Sequence, residues 1–341
     1  MHWNLTSPAD SRRHDPAAVF AAGMEQHAIA NTAYPIGHLT TMRPYRITRR
    51  DVQSFAPQPW EGIDRLGLYV HIPFCEARCG FCEYAVIDPK QNAIEKDDYF
   101  DLLLREFELW DRAIDSRRKT LTGFDIGGGT PSLPDARQIE RVMEAAARHF
   151  HLPADVAVSI ETTPKIAASD PGKLVAYRAM GIQRISMGVQ TVNACLLEAI
   201  GRTATTLEWN RQAVENIRAA GYDNFNVDVM YGFARQNVDS VEATLRHTID
   251  LAPEHITLYQ MRYKGTRIAH QAGGITWAQI GEQAQLVKQM LAEAGYWAVP
   301  GKNTFSRIPG DLGTSDYLTN RVVYGTPYLG IGLGAQTLSH T

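Results

Sequence analysis

Cysteine is scarce in this chain, with four residues in 341. No dispersed, even set exists that would staple a small secreted fold, which excludes a disulfide framework and suits a reducing compartment. Charge of one sign is lacking as well: 34 Lys and Arg stand against 37 Asp and Glu, a formal net charge of -3. Nothing here draws the chain electrostatically to nucleic acid. No apolar run is long enough to cross a bilayer. The first residues, Met1-His-Trp-Asn-Leu-Thr-Ser-Pro-Ala-Asp10, lack the basic-then-apolar pattern of a secretory signal. Internal repeats and low-complexity tracts are missing too. With 44% hydrophobic and 21% charged residues, the expectation is a cytoplasmic enzyme without membrane or nucleic-acid partners.

What is present is concentrated. Three of the four cysteines fall in Tyr69-Val-His-Ile-Pro-Phe-Cys-Glu-Ala-Arg-Cys-Gly-Phe-Cys-Glu-Tyr84. Cys75, Cys79 and Cys82 form a Cys-x3-Cys-x2-Cys spacing directly after a strand-like run, so they are expected to share one ligand. A structural zinc site wants four ligands, usually as two separated pairs, and no second pair occurs. An electron-carrying four-iron cluster wants four thiolates. Three thiolates hold three irons and leave a fourth open to a small molecule, as an open position separates catalytic from structural zinc.

The chain length fits one large α/β domain or two ordinary ones. Residues 1–60 are broken by Pro8, Pro16, Pro35, Pro44, Pro57 and Pro59. They read as an N-terminal extension wrapping the core, with a short helix around Ala17–Ala30. From Leu66 onward strand-length apolar runs recur at Leu66–Ile72, Gly123–Ile126, Val156–Glu161, Gln183–Gly188, Asn224–Met230 and His255–Met261. Helical spacing fills the intervals at Asp98–Ile114, Ala136–Phe150, Pro171–Met180, Leu207–Ala220, Val238–Leu251 and Ile275–Ala294. Such alternation predicts βαβ units and a parallel sheet. Six units are too few for a closed eight-fold barrel, so the fold class is α/β, an open partial (β/α)6 TIM-like barrel over 61–300. Residues 301–341, rich in Gly and turn formers, are expected to close it. Ligands in such folds gather at the carboxyl ends of the strands.

The motifs fall at those ends. Gly127-Gly-Gly-Thr-Pro131 follows the second strand; its glycines let backbone N–H groups approach a ligand and Thr130 adds a hydroxyl, although many glycine-rich turns are only tight loops. Ser159-Ile-Glu-Thr-Thr-Pro164 places Glu161 at the third, as an acceptor for ribose hydroxyls or as a solvated charge. Arg184-Ile-Ser-Met-Gly-Val-Gln190, then Gly201-Arg202, ends the fourth; an Arg suits a carboxylate, and Gln190 offers donor and acceptor. In Asn226-Val-Asp-Val-Met-Tyr-Gly232, Asp228 is an acid inside an apolar run and needs a donor if buried. His71 either hydrogen-bonds near the cysteine loop or is a satisfied core histidine. Cys195, on a helix, reads as a small core residue before a reactive thiol.

The cysteine spacing after a first strand resembles the radical S-adenosylmethionine (SAM) enzymes. The motif set, with Gly330-Ile-Gly-Leu-Gly-Ala335, resembles their HemN-like branch, the oxygen-independent coproporphyrinogen III dehydrogenase family, from about residue 66 onward. That resemblance implies a [4Fe-4S] cluster on Cys75, Cys79 and Cys82, whose free iron is chelated by SAM. It implies reductive cleavage of SAM to a 5′-deoxyadenosyl radical, with a reducing partner such as flavodoxin or ferredoxin and a small-molecule substrate. It would place the cluster-bound SAM against Phe81, Gly129, Thr130, Gln190, Arg202 and Asp228. Tyr69, Gly128 and Glu161 stand at the positions for a second SAM; Arg262 and Gln336 also fall at contact positions but differ from the family's residues. Two departures narrow the reading. Tyr84 replaces a further cysteine of the coproporphyrinogen enzymes. Ser315-Asp-Tyr-Leu-Thr-Asn320 replaces a His-Asn…Tyr-Trp motif of the HemW-like heme-trafficking relatives. A C-terminal domain of the family is expected to be absent or shortened. The implied activity is C–C bond chemistry, methyl or methylene transfer or cyclopropanation with a second SAM, on an aromatic or tetrapyrrole-like acceptor. Alternatives are coproporphyrinogen decarboxylation, anaerobic heme degradation, and non-catalytic heme binding or trafficking.

Overall fold

The computed structural model describes residues 60–87, 96–203, 205–299 and 302–339. The extension at 1–59, with the helix expected around Ala17–Ala30, lies outside them.

Six strands follow the βα alternation: β1 (Arg65–Ile72), β2 (Thr120–Gly128), β3 (Val158–Thr162), β4 (Ile182–Gln190), β5 (Phe225–Tyr231) and β6 (His255–Gln260). They lie side by side in sequence order and pair in parallel. Two short strands that the sequence reading missed extend the sheet. β7 (Thr304–Ser306) adds antiparallel to β6, and β8 (Tyr328–Ile331) adds parallel to β1. Three or four residues carry too little alternation to be read as strands.

The helices cross between strands, as parallel pairing requires. They are α1 (Lys96–Ile114), α2 (Ala136–His149), α3 (Pro164–Ser169), α4 (Pro171–Ala179), α5 (Ala194–Ala199), α6 (Leu207–Ala219), α7 (Val238–Asp250), α8 (Trp277–Glu293) and α9 (Asp316–Val322). Their starts are written in the sequence. Thr206 accepts the Trp209 N–H at 3.1 Å to open α6, and Thr276 with Gln279 forms a capping box for α8. α1 buries Phe100, Leu103, Phe107 and Ile114, one stripe at helical spacing.

Strand alternation divides the sheet into two faces. Leu68, Val70, Phe124, Ile126, Ile160, Ile185, Met187, Val227 and Ile256 are fully buried in the core cluster shared with the helices. Each such side chain contributes on the order of 2 kcal/mol. The other face carries polar groups: Tyr69, Asp125, Arg184, Ser186, Asn226, Asp228 and Thr257.

At the amino ends of the strands, residues 311–320 seal this polar face. Arg184 donates to the Gly313 carbonyl (2.9 Å), Ser315 to Asp125 (2.6 Å), the Ala157 N–H to Asp316 (2.8 Å) and Asn320 to the Thr122 carbonyl (2.8 Å). The fit is backbone-tight: a Cβ on Gly123 would lie 2.1 Å from the Tyr317 nitrogen.

Candidate active site

The carboxyl ends remain open and line a cavity of about 650 Å³. Residues from the loop after β1 and from β3, β4, β5 and β6 share its wall. In the sheet order β1 and β6 are separated by four other strands. Their meeting around one space shows the sheet curved into a partial barrel.

The cysteine loop is pinned at both ends. Phe74 bridges to Ile87, the Ile87 N–H donates to the Pro73 carbonyl (2.7 Å), and His71 Nε2 lies 2.7 Å from the Ala85 carbonyl oxygen, to which it donates. Burial holds the His71 pKa below its ordinary value, so the ring is a neutral structural donor. The glycine turn after β2 lies directly against the loop, with the Gly129 N–H on Ile72 and the Thr130 N–H on Phe74, both at 2.8 Å. A Cβ at Gly129 would sit 2.7 Å from the Phe74 carbonyl oxygen, so only glycine permits this approach.

Cys75, Cys79 and Cys82 all line the cavity and none is in a disulfide. Burial pushes the Cys75 thiol up to about 11; Thr130, 3.7 Å from its sulfur, offsets this in part, and the neighbouring Cys82 and Cys79 add to it. Burial also raises Cys82. Thiols so placed gain from a cation that takes the thiolate form. Among the described residues no three acidic, histidine or cysteine groups converge on a single ion. In an iron–sulfur cluster each thiolate takes its own iron, so no such convergence is required. Arg202 Nε donates to Cys79 Sγ at 3.2 Å, the kind of hydrogen bond to sulfur that tunes a cluster. The donor set therefore fits a three-thiolate cluster.

Two acids stand on the opposite wall. Glu161 is exposed to the cavity yet surrounded by protein. Desolvation, with the nearby Asp228 charge adding, pushes its pKa up to about 8 against one backbone bond from Gly128 (3.2 Å). Asp228 is pushed up to about 6 by desolvation, although Asn226 (2.7 Å) and Ser186 (3.4 Å) donate to it. Such a wall favours ligands that bring hydroxyl donors or positive charge. Gln190 joins it from a β-bulge at the end of β4, buried and with φ 71, a conformation that costs a non-glycine residue about 1–3 kcal/mol. Arg202 completes it, its Nη1 on the Gly188 carbonyl (2.7 Å) and its guanidinium over the Phe81 ring (5.7 Å).

Cys75, Cys79, Phe81, Cys82, Gly128, Gly129, Thr130, Glu161, Gln190, Arg202 and Asp228 thus come together around one space. Tyr69 does not line it. Its ring stacks on Tyr317 (centroids 5.7 Å apart), with its hydroxyl near Gly127, one layer beneath the wall. Arg262 lines the cavity, whereas Gln336 lies in the closing loop beside Arg321 (3.4 Å). Cys195 is exposed on α5, contrary to the core placement expected for it, because α5 turns Leu197 inward instead. The sequence reading passed over Ser186, Met230 and Tyr259, which also line the cavity. Period-two alternation from Gly188 and Asp228 was the signal for the first two.

The sequence profile of the radical SAM superfamily matches residues 69–248. The chain belongs to that superfamily. Its cofactors are accordingly a [4Fe-4S] cluster and SAM. The heme chaperone HemW of Buchnera aphidicola (from Acyrthosiphon pisum) is 33% identical over 196 residues, covering 58% of this chain and 50% of the relative. The mitochondrial radical S-adenosyl methionine domain-containing protein 1 of Mus musculus is 31% identical over 297 residues, 85% of this chain and 64% of the relative. Among solved structures, coproporphyrinogen III oxidase (HemN) of Escherichia coli, a radical SAM enzyme, superposes with TM-score 0.70 at 26% identity. That match covers 86% of this chain and 68% of HemN. The chain spans about half the length of several HemW relatives it matches, that of Buchnera aphidicola among them. No helix among the described residues is long and apolar enough to cross a membrane.

Proposed function

We propose that this radical SAM protein is an enzyme that cleaves SAM reductively and applies the radical to C–C bond chemistry on a conjugated small molecule. The observation that carries the reading is the convergence of the cysteine loop, the Gly128–Thr130 turn, Glu161, Gln190, Arg202 and Asp228 on one cavity. Cys75, Cys79 and Cys82 would hold the cluster, which would supply the electron for reductive cleavage of SAM. The chain's own residues position and insulate. The Gly129 turn and Thr130 would receive the methionine amino group, and Arg202 its carboxylate. Gln190 and Asp228 serve the ribose and adenine, while the cavity walls limit water around the radical. Glu161 and Gly128 are available for a second SAM, which would donate the carbon unit in a methyl or methylene transfer or a cyclopropanation. Tyr69 supports that site from beneath. Flavodoxin or ferredoxin is the reductant we infer.

Anaerobic turnover of cluster-loaded protein with SAM and dithionite tests this directly. We expect 5′-deoxyadenosine from the native chain and none from the Cys75→Ala/Cys79→Ala/Cys82→Ala variant. S-adenosylhomocysteine formed with a trial acceptor supports the second SAM. Failure to form 5′-deoxyadenosine with any acceptor overturns the enzymatic reading.

A second reading rests on the relatives named heme chaperones, 33% identical to this chain over 196 residues. Under it the cavity face would serve heme handling, although Ser315–Asn320 stands where the notable His-Asn…Tyr-Trp motif of that branch is expected. Stoichiometric heme binding without SAM cleavage would favour it.

A further inference from the structure

Two tyrosine side chains line the cavity and are not among those proposed to hold the cofactors. Tyr84 and Tyr259 expose 57% and 42% of their surface, and both line the cavity. They approach from different elements. Tyr84 ends the cysteine loop and its N–H donates to the Cys82 sulfur, which fixes its backbone beside the cluster position. Tyr259 stands on β6, paired with Met230 of β5. Both phenols lie in the field of Glu161 and Asp228, so the two tyrosines stand near the same acidic wall. Two partly exposed aromatic side chains lining one space offer a flat ligand surface to stack on.

We propose that Tyr84 and Tyr259 are the specificity determinants of the reaction, gripping a flat conjugated ring of the acceptor between the cluster loop and β6. This rests on the enzymatic reading above and assigns the residues that select its substrate. The grip is by stacking, so it depends on the rings and not on their hydroxyls. A saturated ring of the same charge would fit the space without the face-to-face contact.

Binding separates the two, using cluster-loaded protein under anaerobic conditions with SAM present throughout. The probes are quinoline-2-carboxylate, which is flat, and cyclohexanecarboxylate, which is not. The native chain is expected to bind the flat probe about tenfold more tightly, the upper range of an aromatic contact. Tyr84→Ala and Tyr259→Ala should each erase most of that preference, while Tyr84→Phe and Tyr259→Phe retain it and report that the fold and iron content are intact. Equal binding of the two probes, no saturable binding of the flat probe, or an unchanged preference in both alanine variants overturns the proposal. So does binding of the flat probe only when SAM is left out, which would assign the rings to the adenine. A native chain that binds the flat probe as expected but yields no 5′-deoxyadenosine loses the radical reading alone.

Discussion

The two ends of this barrel use the same residue types to opposite effect. At the amino ends, Asp125, Arg184 and Thr122 meet the segment 311–320, whose Ser315, Gly313 carbonyl and Asn320 take up their hydrogen bonds or cover them. At the carboxyl ends, Glu161, Asp228, Gln190 and Arg202 stand around open space with fewer partners than they can accept. A polar group costs free energy wherever it is desolvated, and the two ends differ in what repays it. At the floor the chain itself covers the polar groups, bonding some of their atoms and leaving Asp125 Oδ1, Arg184 Nε and Thr122 Oγ1 buried without a partner. At the mouth the space is open to a ligand, which is why the floor reads as architecture and the mouth as a site.

The comparison is most easily broken from below. Gly123 lies under the first turn of α9, where a Cβ would meet three backbone atoms, the Tyr317 N and Cα and the Asp316 C, at 2.1 to 2.5 Å. Backbone cannot swing aside as a side-chain tip can. Gly123→Ala is therefore expected to cost about 3 kcal/mol or more, at the upper end for overpacking, read as a lower urea midpoint. Tyr317 stacks on Tyr69, whose hydroxyl lies near Gly127 below the mouth. SAM affinity should therefore fall as well. Retained SAM affinity at a lowered midpoint would show the two ends to be mechanically independent, and an unshifted midpoint would show the floor segment to be loosely seated.

The mouth is sharpened by Glu161→Gln. An ordinary glutamate has a pKa of 4.5, and in the fold Glu161 is held near 8. Between those values the folded chain keeps a proton that the unfolded chain has released. Stability of the ligand-free protein should accordingly fall as pH rises through the window, with no penalty below it and the full penalty above. The amide removes this dependence. Glu161→Gln is expected to be more stable than the native chain at pH 8 and equal to it at pH 4, by less than about 1 kcal/mol because cavity water screens the charge. Thermal denaturation at the two pH values measures this. A variant equally affected at both would place the role of Glu161 in packing rather than charge.

Much of this was legible beforehand, for reasons that differ by region. The helix expected at Leu207–Ala220 is found at Leu207–Ala219, because Thr206 caps it and its apolar stripe has helical spacing. The cysteine loop was legible because its spacing is chemical and survives without coordinates. β7 and β8 were not, since pairing to a sheet edge leaves no pattern in so short a segment. The strand position of Tyr69 was legible, but its stacking on Tyr317, nearly 250 residues away, leaves no trace in the local sequence. Tyr259 was passed over as one aromatic in an apolar run, and only the curvature of the sheet turns it toward the cysteine loop.

The smallest effect expected is at the cysteine outside the loop. Cys195 shares its residue type with the cluster loop and nothing else: it is exposed on a six-residue helix and has no polar partner among the described residues. Burial and neighbouring thiols set Cys75 apart, and neither acts on Cys195. Cys195→Ser should change stability by less than about 0.5 kcal/mol and leave 5′-deoxyadenosine formation intact. In cluster-loaded protein a thiol reagent should label Cys195 and spare Cys75, Cys79 and Cys82, because coordinated sulfur is no longer a free nucleophile. Loss of turnover in Cys195→Ser would instead give that thiol a part in the reaction, and the site would then extend beyond the cavity that the strands enclose.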